Sequence, residues 1–91
     1  MMTIEEIYKL NSYELFDKLL ENLKVGMEFT FTPKNVFPGD RFLIFSAYDE
    51  IKITYKRTRW GIAWLDFEGD EPMLLENTPD SFRRTLLLNI K

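Results

Sequence analysis

The spacing of apolar residues in this chain changes near Met27 and again near Thr78, dividing it into a helical start, a strand-rich middle and a helical end. Thr3 followed by Glu6 has the spacing of a capping box. In that motif the hydroxyl accepts from an orphaned amide and the carboxylate reaches back to the capping residue. Ile4, Ile7 and Tyr8 then share one helical face, while Leu15, Phe16, Leu19, Leu20 and Leu23 drift around the cylinder. One straight helix buries neither set cleanly, and Asn11 with Glu14 repeats the cap. The pattern predicts a short helix at 4–10 and a longer one at 13–24, joined by a bend. Gly26 follows as the left-handed residue that commonly ends a helix.

From Met27 the period is two. Met27, Phe29 and Phe31 alternate with Glu28, Thr30 and Thr32, a strand at 27–32 with one buried face, stopped by Pro33. Residues 33–40 hold two Pro and a Gly-Asp pair and read as a loop with Val36 and Phe37 turned inward. RFLIFSAY (41–48) is apolar on both faces and WGIAWLDF (60–67) nearly so, as expected of central strands. Between them Ile51, Ile53 and Tyr55 alternate with Lys52, Thr54 and Lys56 over 51–57. Asp49-Glu50 and Thr58-Arg59 are short enough to turn hairpins, which makes the middle an antiparallel meander with helices against one face. Thr78-Pro79-Asp80 opens a C-terminal helix with Pro at its first position, and Phe82, Leu86 and Ile90 follow at spacings of four. The run TLLLNI (85–90) also fits a strand; the cap favours the helix.

These elements make a single α+β domain over residues 1–91: two N-terminal helices, a four-stranded antiparallel meander and a C-terminal helix. With 45% apolar residues, including eight Phe, four Tyr and two Trp, the chain can fill a core without disulfides. It has no Cys, so it has neither a disulfide framework nor thiolate metal ligands, in keeping with a reducing compartment. The N-terminal MMTIEEIYKL lacks the basic start and apolar run of a secretory signal. No stretch reaches the roughly 18 apolar residues of a membrane span, so the sequence reads as cytoplasmic with no membrane partner.

A chain without His or Cys leaves nucleophilic and acid-base chemistry to Asp, Glu, Lys, Tyr or Ser in a pocket that shifts their pKa values. The acidic pairs Asp49-Glu50 and Asp70-Glu71 fall in turn-like sequence, where solvated loop charge is the expectation. No Gly-rich phosphate cradle or nucleophile elbow is present. The run 66–71 imitates a calcium loop, but its Gly is fourth instead of sixth and Asn77 stands where a bidentate Glu is needed. The expectation is a protein that is not an enzyme and takes no cofactor, metal or small-molecule substrate.

Binding chemistry gathers instead around the third and fourth strands. The net charge of −3 is too mild for a basic nucleic-acid protein or an acidic mimic of nucleic acid, so local charge decides. Lys52, Lys56, Arg57 and Arg59 lie within eight residues, and Lys52 and Lys56 share a strand face. Tyr55 falls on the core face, and Trp60 and Trp64 fall in a strand whose apolar content places it inside. Two consecutive strands apolar on both faces cannot hide against a single helical layer. The C-terminal helix, another protein or a second copy must cover the remainder. The leading reading is a binding module that occupies a partner protein's surface, in the manner of a small inhibitor or adaptor of phages and mobile elements. Phe45, Trp60 and Trp64 would be its anchors and Arg57 and Arg59 its rim. The alternative is a nucleic-acid-binding domain using Lys52, Lys56, Arg57 and Arg59.

Two stretches carry resemblances. Ala47-Tyr48-Asp49-Glu50 is similar to the segment that closes a strand in the phage-encoded uracil-DNA glycosylase inhibitors, small α+β mimics of DNA. This chain lacks their Glu-Ser-Ile edge segment and their strong negative charge, so no functional residue is carried over. Leu23 to Phe37 resembles the start of small bacterial winged-helix-like proteins, a pattern the strand-rich middle does not continue.

Overall fold

The computed structural model describes residues 2–32, 36–37 and 50–90. Both capping boxes form. Thr3 Oγ1 accepts from the Glu6 amide at 3.2 Å and Glu6 Oε1 from the Thr3 amide at 3.1 Å. Asn11 Oδ1 accepts from the Glu14 amide at 2.9 Å and Glu14 Oε1 from the Asn11 amide at 3.1 Å. Helix α1 therefore spans Ile4–Lys9 and α2 spans Ser12–Asn22, with Leu10 and Asn11 extended at the predicted bend. The Thr3 amide, and after it the Thr3 hydroxyl, holds the Glu6 carboxyl below the ordinary glutamate range. Helix α2 stops two residues short of the predicted 24. Gly26, at φ +91°, sits in the turn closed by the Met27 amide on the Lys24 carbonyl at 2.9 Å, so its left-handed backbone turns the chain into the sheet.

Among the described residues, four strands form one antiparallel sheet in sequence order: β1 (Glu28–Phe31), β2 (Ile51–Arg57), β3 (Ala63–Phe67) and β4 (Met73–Leu74). Phe29 lies opposite Ile53, Ile53 opposite Phe67 and Tyr55 opposite Leu65, so these residues share one face, and all are buried. The alternation turns Lys52, Thr54, Lys56, Trp64 and Asp66 to the other face.

The α+β class and the antiparallel sheet between terminal helices stand as predicted, and the strands differ in detail. The predicted strand 41–48 lies outside the described residues, and β2 has β1 and β3 as its neighbours. The strand predicted at 60–67 begins at Ala63, because residues 59–61 form the hairpin loop and Thr58 and Ile62 close it. The fourth described strand is β4, two residues that no alternation marks. Its strand character comes from β3, with Leu74 opposite Trp64 and Met73 opposite Leu65.

A 3-10 turn at Leu75–Asn77 leads into α3 (Asp80–Leu88), so the tail is helical; Pro79 is its N-cap and lies outside the first turn. The Phe82 ring meets Phe31 edge-on at 6.0 Å and Phe67 at 6.2 Å, joining α3 to two strands. Helix α2 packs on α3 and contributes buried Leu15 and Leu19. Phe37 is buried and Val36 half-buried, as predicted, and the Phe37 amide donates to Thr85 Oγ1 at 3.0 Å.

Candidate functional site

The β2–β3 hairpin ends in a three-residue loop. The Gly61 amide donates to the Thr58 carbonyl at 3.0 Å and the Thr58 amide to the Ile62 carbonyl at 2.9 Å. Gly61, at φ +88°, supplies the left-handed residue such a loop needs after its turn. Thr58 Oγ1 accepts from the Ile62 amide at 3.1 Å, so three hydrogen bonds fix five residues. The turn is centred on Arg59-Trp60, one residue beyond the predicted Thr58-Arg59.

This geometry pushes Trp60 outward, with 74% of its surface exposed, and leaves Ile62 51% exposed. The interior position read for Trp60 is thereby corrected: it crowns the turn and lies outside the strand. The Arg59 guanidinium carbon lies 4.5 Å from the Trp60 ring centre and covers one indole face. Arg57 is exposed, and a Cβ built on Gly61 would lie 3.6 Å from its Nη2, so the guanidinium rests beside the loop. Among the described residues, no carboxylate pairs with Arg57 or Arg59.

Of the other predicted anchors, Trp64 is half-buried on the sheet's outer face, opposite Lys56 and Leu74, and Phe45 lies outside the described residues. Tyr55 is on the core face as predicted. Lys52 and Lys56 share the outer face as expected, yet the stripe is not uniformly positive. Lys56 Nζ is 3.0 Å from Asp66 Oδ2 and Lys52 Nζ is 3.9 Å from Glu50 Oε1. An open concavity of about 570 Å³ on this face is lined by Glu28, Asp66 and Glu68 as well as Lys52, Thr30 and Thr54. Asp66 is thus a cross-strand partner of Lys56. Asp70 accepts from the next residue's amide at 2.8 Å, in an exposed turn with Gly69 at φ +83°.

Ile62 is the tip residue that the sequence reading missed, because the run WGIAWLDF counted it as strand interior. The available signal was Thr58-Arg59-Trp60-Gly61, a three-residue loop with Gly at its left-handed position. Of the other exposed large apolar side chains among the described residues, Tyr13 lies on α2 and Val25 in the turn after it, while Ile4 and Tyr8 lie one turn apart on α1, where Tyr8 is backed by Phe37 at 6.3 Å and by Arg84. The chain matches no protein-family model, no curated protein and no solved structure.

Proposed function

We propose that this protein is a non-enzymatic binding module that occupies the surface of a partner protein with the tip of its β2–β3 hairpin, acting as a small inhibitor or adaptor. The observation that carries the reading is the exposure of Trp60 and Ile62 together, on a loop held by its own hydrogen bonds and carrying beside them two arginines that no carboxylate pairs with among the described residues. A rigid aromatic anchor loses little conformational freedom on docking, and tryptophan and arginine are the residues that most often dominate binding energy. Trp64, fixed in the sheet, would add contact area behind the tip.

Nucleic acid is the weaker reading. The carboxylates beside Lys52 and Lys56, with Glu28 and Glu68 on the same face, offset the charge that phosphate tracking needs, and aliphatic Ile62 offers a base nothing to stack on.

Immobilised wild type and a Trp60→Ala variant, exposed to the same lysate, test the module. The expected result is a stoichiometric protein held by the wild type and lost from a variant whose circular dichroism is unchanged. Removing such an anchor costs about 2 kcal/mol or more of binding. A wild type that captures nothing and does not self-associate would end the proposal.

A further inference from the structure

We infer that the partner surface is an apolar slot rimmed by carboxylates, into which the hairpin inserts Trp60 and Ile62 while Arg57 and Arg59 engage the acidic rim. This deepens the reading above and rests on it.

The tip is cationic and the rest of the molecule is not. Residues 57–63 contain two arginines and no acidic residue, and the chain's net charge is −3, so the remaining residues carry −5. An acidic surface therefore repels the body of the molecule as a whole and attracts the tip. Approach is oriented before contact, which is how charge complementarity raises association rates and excludes wrong poses. A basic partner would instead be drawn to the acidic body, and the tip would be turned away from it.

The contact geometry agrees. Arg59 already covers one face of the Trp60 indole, leaving the other face and the edge for a partner. In that stacked pose the guanidinium edge still projects its N–H donors, the arrangement in which arginine binds a carboxylate with two parallel hydrogen bonds. Arg57, beside Gly61, brings a second set of donors. Ile62, half exposed, adds an aliphatic surface that only a dry apolar wall rewards. A convex tip with apolar residues and a basic rim is matched by a concave apolar slot with an acidic rim.

The test follows the indole N–H resonance of Trp60, assigned by its loss in Trp60→Phe, in the full-length chain. It compares two matched peptides, Glu-rich and Lys-rich around a central Leu-Phe pair, with phosphatidylserine-containing vesicles and an oligothymidylate. The Glu-rich peptide is expected to shift the resonance at a concentration at least about tenfold below the Lys-rich one. Added salt, or Arg57→Gln with Arg59→Gln, should weaken that response by a similar factor. Equal responses to the two peptides, a stronger response to vesicles or oligothymidylate, or silence with all four probes overturns the inference. Lysate capture separates this from failure of the module itself. Proteins that need Trp60 but survive the double arginine substitution and high salt would leave a Trp60 module without an acidic partner. Capture indifferent to Trp60 would remove both.

Discussion

Trp60 and Trp64 are four residues apart in one hairpin and meet opposite surroundings, because one crowns a turn and the other lies between Lys56 and Leu74 on the sheet. Residue type does not separate them; the hydrogen bonds of Thr58 do. Neighbouring Arg83 and Arg84 are both half-buried but meet different partners, Arg84 lying over the Tyr8 ring at 5.8 Å. Arg83 donates to Thr78 Oγ1 and to the Leu75 and Glu76 carbonyls at 3.1, 3.2 and 2.8 Å, binds Asp80 at 3.3 Å, and so fastens the 3-10 turn to α3. Its charge serves the fold and is not available to a partner. Tyr55 supplies the residue-scale prediction. Its ring is core, 1% exposed, but its hydroxyl is buried without a hydrogen-bond partner among the described residues. An unpaired buried polar group costs about 1–3 kcal/mol, so Tyr55→Phe should leave stability unchanged or raise it by about 1 kcal/mol in urea unfolding. A loss of that size instead would mean the hydroxyl is bonded.

At the scale of elements, the hairpin loop depends on one backbone conformation. Gly61→Ala places a Cβ at ordinary contact distance, 3.6 Å, from Arg57 Nη2, so no clash opposes it. The cost comes from φ +88°, which a residue with a Cβ adopts reluctantly. A loss of about 1–2 kcal/mol is expected from the left-handed backbone, read as a lowered thermal midpoint, together with a changed environment for Trp60. An unchanged midpoint would show that the loop adapts. The elements legible in the sequence are those set by local chemistry. Thr3 with Glu6 and Asn11 with Glu14 bond within three residues, and β2 alternates over its full length, so all three appear where the pattern puts them. Elements that depend on a distant neighbour were not legible. Met73–Leu74 is a strand only because β3 lies beside it, and the pairing of Lys56 with Asp66 requires the β2–β3 register. For the site, the sequence showed which residues gather at the hairpin but turned Trp60 inward, because an apolar run reads as interior until its turn is recognised.

At the scale of the molecule, a positive tip stands on a negative body, and the field at Trp60 should differ in sign from the net charge. The exposed pair of Lys56 and Asp66 stabilises the sheet by about 0–1 kcal/mol at most, so the asymmetry matters for encounter more than for folding. Ionic quenchers can read that field, since iodide gathers where the potential is positive and caesium where it is negative. The emission difference between wild type and Trp60→Phe isolates Trp60. Relative to free N-acetyltryptophanamide, iodide is expected to quench Trp60 more effectively than caesium, although the chain as a whole carries −3. Salt that shortens the screening length to a few ångströms, ~3 Å near molar strength, should remove the preference. Replacing Arg57 and Arg59 with Gln should reverse it, because the acidic body then dominates at the tip. If caesium quenches better in the wild type, the two arginines do not govern the local potential. The tip would then share the sign of the net charge, and the tip-first approach to an acidic partner would lose its physical basis.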